Sequence, residues 1–156
     1  INVKESFGST GIDEGEFMIC TNMGEGMNPL NKIASGGEMS RIMLAIKNVL
    51  ADVDEVDTLV FDEIDTGISG KAGQAVGDKM KYIAKSHQVI CITHLPSIAA
   101  KGDYNYYINK QTKANKTYTN IKQLNEEEII EEIARISSGE ITEIAKAHAK
   151  ELRKAC

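Results

Sequence analysis

The stretch that most constrains this 156-residue chain is Thr58-Leu59-Val60-Phe61-Asp62-Glu63-Ile64-Asp65. Three apolar residues in succession, β-branched and aromatic among them, predict a strand buried on both faces of a helix-covered sheet. The strand breaks off in two acids, and Asp65-Thr66-Gly67 follows. Burying a carboxylate without a partner is costly, so these acids are expected at the strand's carboxyl end, facing a crevice. That edge is where open α/β sheets bind ligands. One acid there can hold Mg²⁺ while the next orients or deprotonates a water, the equipment of a phosphate-handling enzyme. A plain acidic turn after a strand fits the same residues equally well.

The flanking pattern extends the sheet. Residues 38–51 read as a helix with a stripe of Ile42, Ala45, Ile46, Val49 and Leu50, and residues 70–86 as a second with Ala72, Ala75, Val76, Met80 and Ile83 inward. Residues 88–93 form another apolar strand, ending in His94-Leu95-Pro96. Helix and strand alternating through short connections predict parallel pairing by right-handed crossovers. Before this unit, residues 4–7 and 16–21 read as short strands around a Gly-rich turn at 8–15, and residues 22–32 as a loop. After it, residues 104–110 and 117–124 alternate with period two, as a hairpin exposed on one face. Asn125 with Glu128 has the form of a capping box for a helix through Ile136; Ser137-Ser138-Gly139 ends it, and a last helix covers about 140–154. The expectation is one α/β domain: a mainly parallel sheet flanked by helices, with an antiparallel hairpin.

Composition adds bounds. Apolar residues make up 42% and charged residues 26%, as in ordinary globular domains, and no apolar run approaches the length of a membrane span. The net charge of −5 argues against a globally basic nucleic-acid binder. Cys20, Cys91 and Cys156 lack metal-ligand spacing, and the first two are expected to be buried thiols. Ile1-Asn2-Val3-Lys4 reads as the start of an excised piece.

A second stretch, Ile33-Ala34-Ser35-Gly36-Gly37-Glu38-Met39-Ser40-Arg41, sets Ser-Gly-Gly immediately before a helix. Its amide groups, hydroxyl and helix dipole suit a phosphate, although a simple N-cap uses the same residues. His94, directly after its strand, is expected on the same sheet edge as Asp62 and Glu63, where an imidazole can meet a phosphate or a carboxylate. Gly67-Ile68-Ser69-Gly70-Lys71-Ala72 is no phosphate loop, because its glycine spacing is short and Ala72 stands where Ser or Thr is needed.

In this order, Ser-Gly-Gly-Glu, apolar strand with Asp-Glu, Asp-Thr-Gly-Ile-Ser, then strand and His, the chain resembles the ATP-binding-cassette ATPases. Ala-Ser-Gly-Gly-Glu-Met-Ser-Arg, Phe-Asp-Glu-Ile-Asp-Thr-Gly-Ile-Ser-Gly and Ile-Thr-His-Leu-Pro narrow the resemblance to the SMC-like branch and its RecN family of bacterial DNA-repair proteins. It covers about residues 1–150. It implies an ABC-type P-loop NTPase head, with residues 1–156 as its C-terminal lobe and the phosphate loop in an N-terminal lobe beyond a coiled coil. Implied ligands are ATP and Mg²⁺. Implied partners are DNA, the N-terminal lobe of the same head, and a second head as homodimer, in a cytoplasmic, nucleoid-associated protein. By the resemblance Asp62 binds Mg²⁺, Glu63 polarises the attacking water and His94 senses the γ-phosphate. Ser35, Gly36, Gly37 and Glu38 form the signature motif that closes on the partner's nucleotide, and Asp65 aligns the seam. Without the phosphate loop, this segment alone is expected neither to hydrolyse ATP nor to hold it tightly.

Ala34 and Glu38 depart from the transporter-type Leu-Ser-Gly-Gly-Gln and favour the SMC-like branch; Ser97, where Gln is commoner in the family, is given no role. Two other readings use the same residues. One is a non-hydrolysing, ATP-dependent dimerisation and DNA-binding module. The other is a self-contained metal-dependent hydrolase built on Asp62, Glu63, Asp65 and His94. Lys101, Lys110, Lys113, Lys116 and Lys122, against Asp103, suit either a DNA backbone or the charged protection of an edge strand.

Overall fold

The computed structural model describes residues 1–20, 24, 26–32, 35–51, 53, 55–113 and 116–155. Expectations that fall on Thr21, Asn22, Met23, Glu25, Ile33, Ala34 and Cys156 lie outside the described residues, as does the hairpin tip at 114–115.

The central strand and its neighbour form as expected. β5 (Thr58–Phe61) and β6 (Gln88–Cys91) pair in parallel, in register from Thr58 opposite Gln88 to Phe61 opposite Cys91. α2 (Gly70–Ile83) makes the crossover between them. Leu59 and Phe61 point inward and pack with Ile64, Val76, Met80 and Ile83, with Leu44 from α1 (Gly36–Leu50) and with Ile98 from the short α3 (Pro96–Ala99). The other side of the strands does not match the expectation of two buried faces. Val60 is 64% exposed, and Ile90 and Ile92 are exposed with it. The three helices supply their core residues to one face only, so alternate strand residues meet solvent.

α1 is rotated relative to its expected stripe. Leu44 is its buried large side chain, whereas Val49 is 84% exposed and Ile46 and Leu50 are also outward. Arg41, Leu44 and Asn48 share one face by helical spacing, and Arg41 is tied to the turn after β5. Those polar bonds, which an apolar stripe does not register, set the rotation. In α2, Val76, Met80 and Ile83 are buried as expected, but Ala72 and Ala75 are exposed and Gly73 and Gly77 take the inner face. The segment around α3 passes too close for side chains there: a Cβ on Gly73 would lie 2.9 Å from Leu95 Cδ1, and one on Gly77 2.7 Å from Lys101 Cδ.

A second core forms from Ala100, Ile129, Ile133, Ala134, Ala145 and Ala149, where α4 (Glu126–Ser138) packs on α5 (Glu143–Lys154). Asn125 caps α4 reciprocally with Glu128, as its sequence predicts, and Gly139 ends the helix at φ 79°. Thr142 caps α5. β7 (Tyr106–Lys113) and β8 (Lys116–Gln123) form the expected antiparallel hairpin. At the start of the chain the Gly-rich stretch contributes more strand than expected. β1 (Asn2–Gly8) pairs with β2 (Gly11–Glu16), so the turn shrinks to Ser9-Thr10. β3 (Met18–Ile19) pairs with β4 (Asn28–Pro29), followed by a 3₁₀ turn at Leu30–Lys32. The molecule is α/β, but parallel pairing among the described residues is confined to β5 and β6, and the other pairs are antiparallel. Tight turns can join only antiparallel neighbours, and a single crossover helix yields a single parallel pair. No helix among the described residues is long and apolar enough to cross a membrane.

Candidate functional site

The turn that follows β5 is the hub. Asp62 and Glu63 are exposed at the strand's carboxyl end, and the Glu63 amide donates to Asp62 Oδ1 at 2.9 Å. Glu63 has φ 57°, the one positive φ outside glycine among the described residues. A non-glycine residue held there carries strain of about 1–3 kcal/mol, which persists only where surrounding contacts impose it.

Those contacts come from the start of α1. Ser35 is its N-cap, with Oγ 3.5 Å from the Glu38 amide. Gly36 and Gly37 lie directly against the acidic turn. A Cβ on Gly36 would stand 2.9 Å from Glu63 Oε2; one on Gly37 would stand 2.8 Å from the Glu63 carbonyl oxygen and 2.9 Å from that of Thr66. Ser40 Oγ donates to the Asp62 carbonyl at 3.0 Å. Arg41 Nη1 donates to the carbonyls of Ile64 and Thr66 at 3.1 and 2.9 Å. The Ser-Gly-Gly turn and the Asp-Glu turn are therefore one packed unit. Sequence reasoning does not mark Ser40 and Arg41 as site residues, although both sit in the first turns of the helix that Ser-Gly-Gly opens.

Asp65 differs from its expected place at the crevice. It is 2% exposed, inside the turn, and Oδ2 accepts from Thr93 Oγ1 at 2.6 Å and from the His94 amide at 2.7 Å. His94 Nδ1 lies 3.1 Å from the same oxygen, while the ring itself is 71% exposed. These partners offset the desolvation that an isolated carboxylate would suffer. Burial alone would raise the Asp65 carboxyl; the Thr93 hydroxyl, the His94 amide and the His94 ring outweigh it and hold the group below its ordinary value. The same field acts on Cys91, whose thiol is pushed up to about 12 by burial and by the charges of Asp65 and Asp62. Cys20, expected to be buried, is exposed.

Asp62, Glu63 and His94 thus occupy adjacent strand ends, with the Ser35–Glu38 helix start beside them. Among the described residues no group of three or more His, Cys, Asp or Glu side chains could hold a metal ion. Asp62 alone still suits Mg²⁺ carried with a nucleotide, because that ion takes one or two carboxylates and completes its shell with phosphate oxygens and water. It does not suit a metal caged by protein ligands. Of the lysines of 101–122, Lys101 pairs with Asp78 at 2.5 Å, and Lys122 pairs with Glu128 beside the α4 cap. The outer face of the hairpin carries Tyr106, Ile108 and Ile121 together with Lys110. A groove of about 470 Å³ between this hairpin and α4, lined by Tyr107, Asn109, Lys122, Glu128 and Glu132 among others, contains none of the motif residues.

No protein-family model matches the chain. It is 47% identical over 150 residues to DNA repair protein RecN of Halalkalibacterium halodurans, covering 96% of this chain and 26% of that protein. Against DNA repair protein RecN of Bacillus subtilis it is 47% identical over 145 residues, 92% of this chain and 25% of the relative. Over most of its length the chain is thus similar to one part of these RecN proteins. A third RecN, from Treponema pallidum, is 44% identical over 153 residues, covering 97% of this chain and 27% of the relative. The chain thus spans about a quarter of the length of these relatives. Its fold is shared with a solved structure described as "Structural biochemistry of ATP-driven dimerization and DNA stimulated activation of SMC ATPases", with a TM-score of 0.50 and 22% identity over 74% of this chain and 68% of that one. The resemblance to RecN expected over about residues 1–150 is met by similarity over 92–97% of the chain.

Proposed function

We infer that this chain is the C-terminal lobe of the ATPase head of an SMC-like DNA-repair protein, and that the full-length protein hydrolyses ATP where two heads meet. The observation that carries this reading is the union of the Ser-Gly-Gly turn with the Asp62-Glu63 turn through Gly37, Ser40 and Arg41. Two heads closing on two ATPs require each chain to serve both nucleotides. Its acids act on the ATP of its own phosphate loop, and its signature turn acts on the partner's. A packed unit holds these two functions in fixed relation.

In this assignment Asp62 supplies the carboxylate for Mg²⁺, and Glu63 receives the proton of the attacking water. When bound, Mg²⁺ offsets charge on the transferring phosphate. Ser35, Gly36 and Gly37, with Glu38 in the first turn of α1, close on the γ-phosphate of the opposite head, where amide hydrogens and the helix dipole favour an anion. His94 completes the edge. The exposed Val60, Ile90 and Ile92 suit a sheet face that the N-terminal lobe of the same head covers. The relatives are DNA repair proteins by name, and the SMC ATPases that share the fold are described as DNA-stimulated. Both support DNA as the full-length protein's partner and DNA repair as its setting; break repair and recombination are what the resemblance to RecN implies. A soluble protein of the bacterial cytoplasm and nucleoid fits that setting.

Ser35→Arg in the full-length protein tests the trans role of the signature turn. A long cation there blocks the partner's nucleotide while leaving the phosphate loop of the same head intact. Nucleotide affinity should stay near wild type and ATP-dependent head association should be lost in analytical ultracentrifugation. Association that survives removes the trans assignment.

A further inference from the structure

The backbone of Glu63 stands at φ 57°, and one helix fixes the peptide planes on both sides of it. Ahead of Glu63, Ser40 Oγ donates to the Asp62 carbonyl, so the plane entering Glu63 cannot turn without losing that bond. Beyond it, the two carbonyls that Arg41 Nη1 reaches, of Ile64 and Thr66, belong to the turn that leaves Glu63. The Glu63 carbonyl itself lies against Gly37 and accepts the Thr66 amide hydrogen at 3.0 Å, while the end of its side chain lies against Gly36. Released from these ties, a glutamate returns to negative φ, where its side chain and backbone do not crowd. That rotation about N–Cα swings the carboxylate away from the strand end. We propose that Ser40 and Arg41 are positioning residues, which hold Glu63 in its left-handed conformation and so set where its carboxylate stands on the sheet edge.

This rests on the reading of Glu63 as the base that takes the proton of the attacking water. A general base must lie within hydrogen-bond reach of the proton it removes, and a misplacement of about 1 Å can cost about a hundredfold in rate. Neither Ser40 nor Arg41 has to touch nucleotide or water for this. Both bond main-chain carbonyls of the turn, and Ser40 holds Asp62 by its carbonyl rather than its carboxylate. Their loss therefore leaves the metal-binding group in place and falls on turnover rather than on Mg-ATP affinity.

The test combines kinetics and unfolding of the full-length protein carrying Ser40→Ala or Arg41→Ala. Each substitution should lower kcat by about ten- to a hundredfold and leave KM and Mg-ATP affinity near wild type. In a Glu63→Gln background neither should slow turnover further, because both act through that carboxylate. Glu63→Gly should raise the urea midpoint of otherwise wild-type protein, since glycine takes positive φ without strain, and should raise it less in protein that also carries Arg41→Ala. Wild-type kcat in both variants overturns the proposal, and so does a further loss of the same size in Glu63→Gln. Equal midpoint shifts with and without Arg41 also overturn it, by a measurement that needs no nucleotide. Should Arg41→Ala fail to fold, Ser40→Ala, which removes one exposed hydroxyl bond, carries both measurements in its place. Wild-type turnover in Glu63→Gln is a different outcome: it overturns the parent reading of Glu63 as base, while the midpoint comparison still judges the ties that hold its backbone.

Discussion

Gly36 and Gly37 are adjacent, yet their missing side chains do different work. At Gly37 the neighbours of an added Cβ are two backbone carbonyls, at 2.8 and 2.9 Å, which cannot rotate away. At Gly36 the neighbour is the end of the Glu63 side chain, at 2.9 Å, which can. Gly37→Ala should therefore destabilise the fold by about 1–3 kcal/mol, as overpacking does. Gly36→Ala should leave the urea midpoint almost unchanged while displacing the Glu63 carboxylate and lowering turnover. Equal midpoints for both variants would contradict this geometry. Asp65 provides a second test at this scale. Its folded pKa is depressed, so the stability it contributes is present above the ordinary carboxylate range and is lost as pH falls through that range and below. The unfolding free-energy gap between wild type and Asp65→Asn should be constant near neutrality and shrink in acid. A gap that widens in acid has the wrong sign. Asp62, Glu63 and His94 are legible as an edge because each follows closely on an apolar strand. The burial of Asp65 is not, since its partners Thr93 and His94 lie 28 and 29 residues away and pair with it only after β5 and β6 align.

Among the elements, those whose signals are local are readable. The capping box at Asn125 and Glu128 is a short-range device, and it forms as written. Asn125→Ala should cost about 1 kcal/mol, within the roughly 0.5–2 kcal/mol usual for a lost N-cap, and should lower the melting temperature without altering nucleotide binding. An unchanged melting temperature would show that α4 is held by its packing on α5 alone. The β7–β8 hairpin is equally plain from its alternation. The rotation of α1 is hidden because its apolar residues surround most of the helix and Arg41, a charged residue, decides which side turns inward. The glycine face of α2 is hidden for a related reason: residues without side chains leave no mark in an apolar pattern, although close approach of the α3 segment requires them. The second face of β5 is not legible because three apolar residues in a row do not say whether anything covers them.

For the whole molecule, a chain spanning about a quarter of the RecN relatives' length holds a core, a Ser-Gly-Gly helix start and an acidic strand end. In the proposed reaction two adjacent acids have different parts, Asp62 as metal ligand and Glu63 as base. Successive residues point to opposite sides until a strand ends, and the positive φ of Glu63 turns the chain where that happens. Glu63→Gln keeps the shape and loses the proton acceptor, so turnover in the full-length protein should fall by ~10²–10⁴, equivalent to about 3–5 kcal/mol of barrier. Mg-ATP affinity should persist and ATP-bound head pairs should accumulate, whereas Asp62→Asn should weaken Mg-ATP binding itself. The decisive measurement is single-turnover ATP hydrolysis by Glu63→Gln with nucleotide binding monitored in parallel. Tight binding with hydrolysis reduced by about a hundredfold or more is the predicted result; hydrolysis at the wild-type rate would contradict the assignment of Glu63 as the catalytic base.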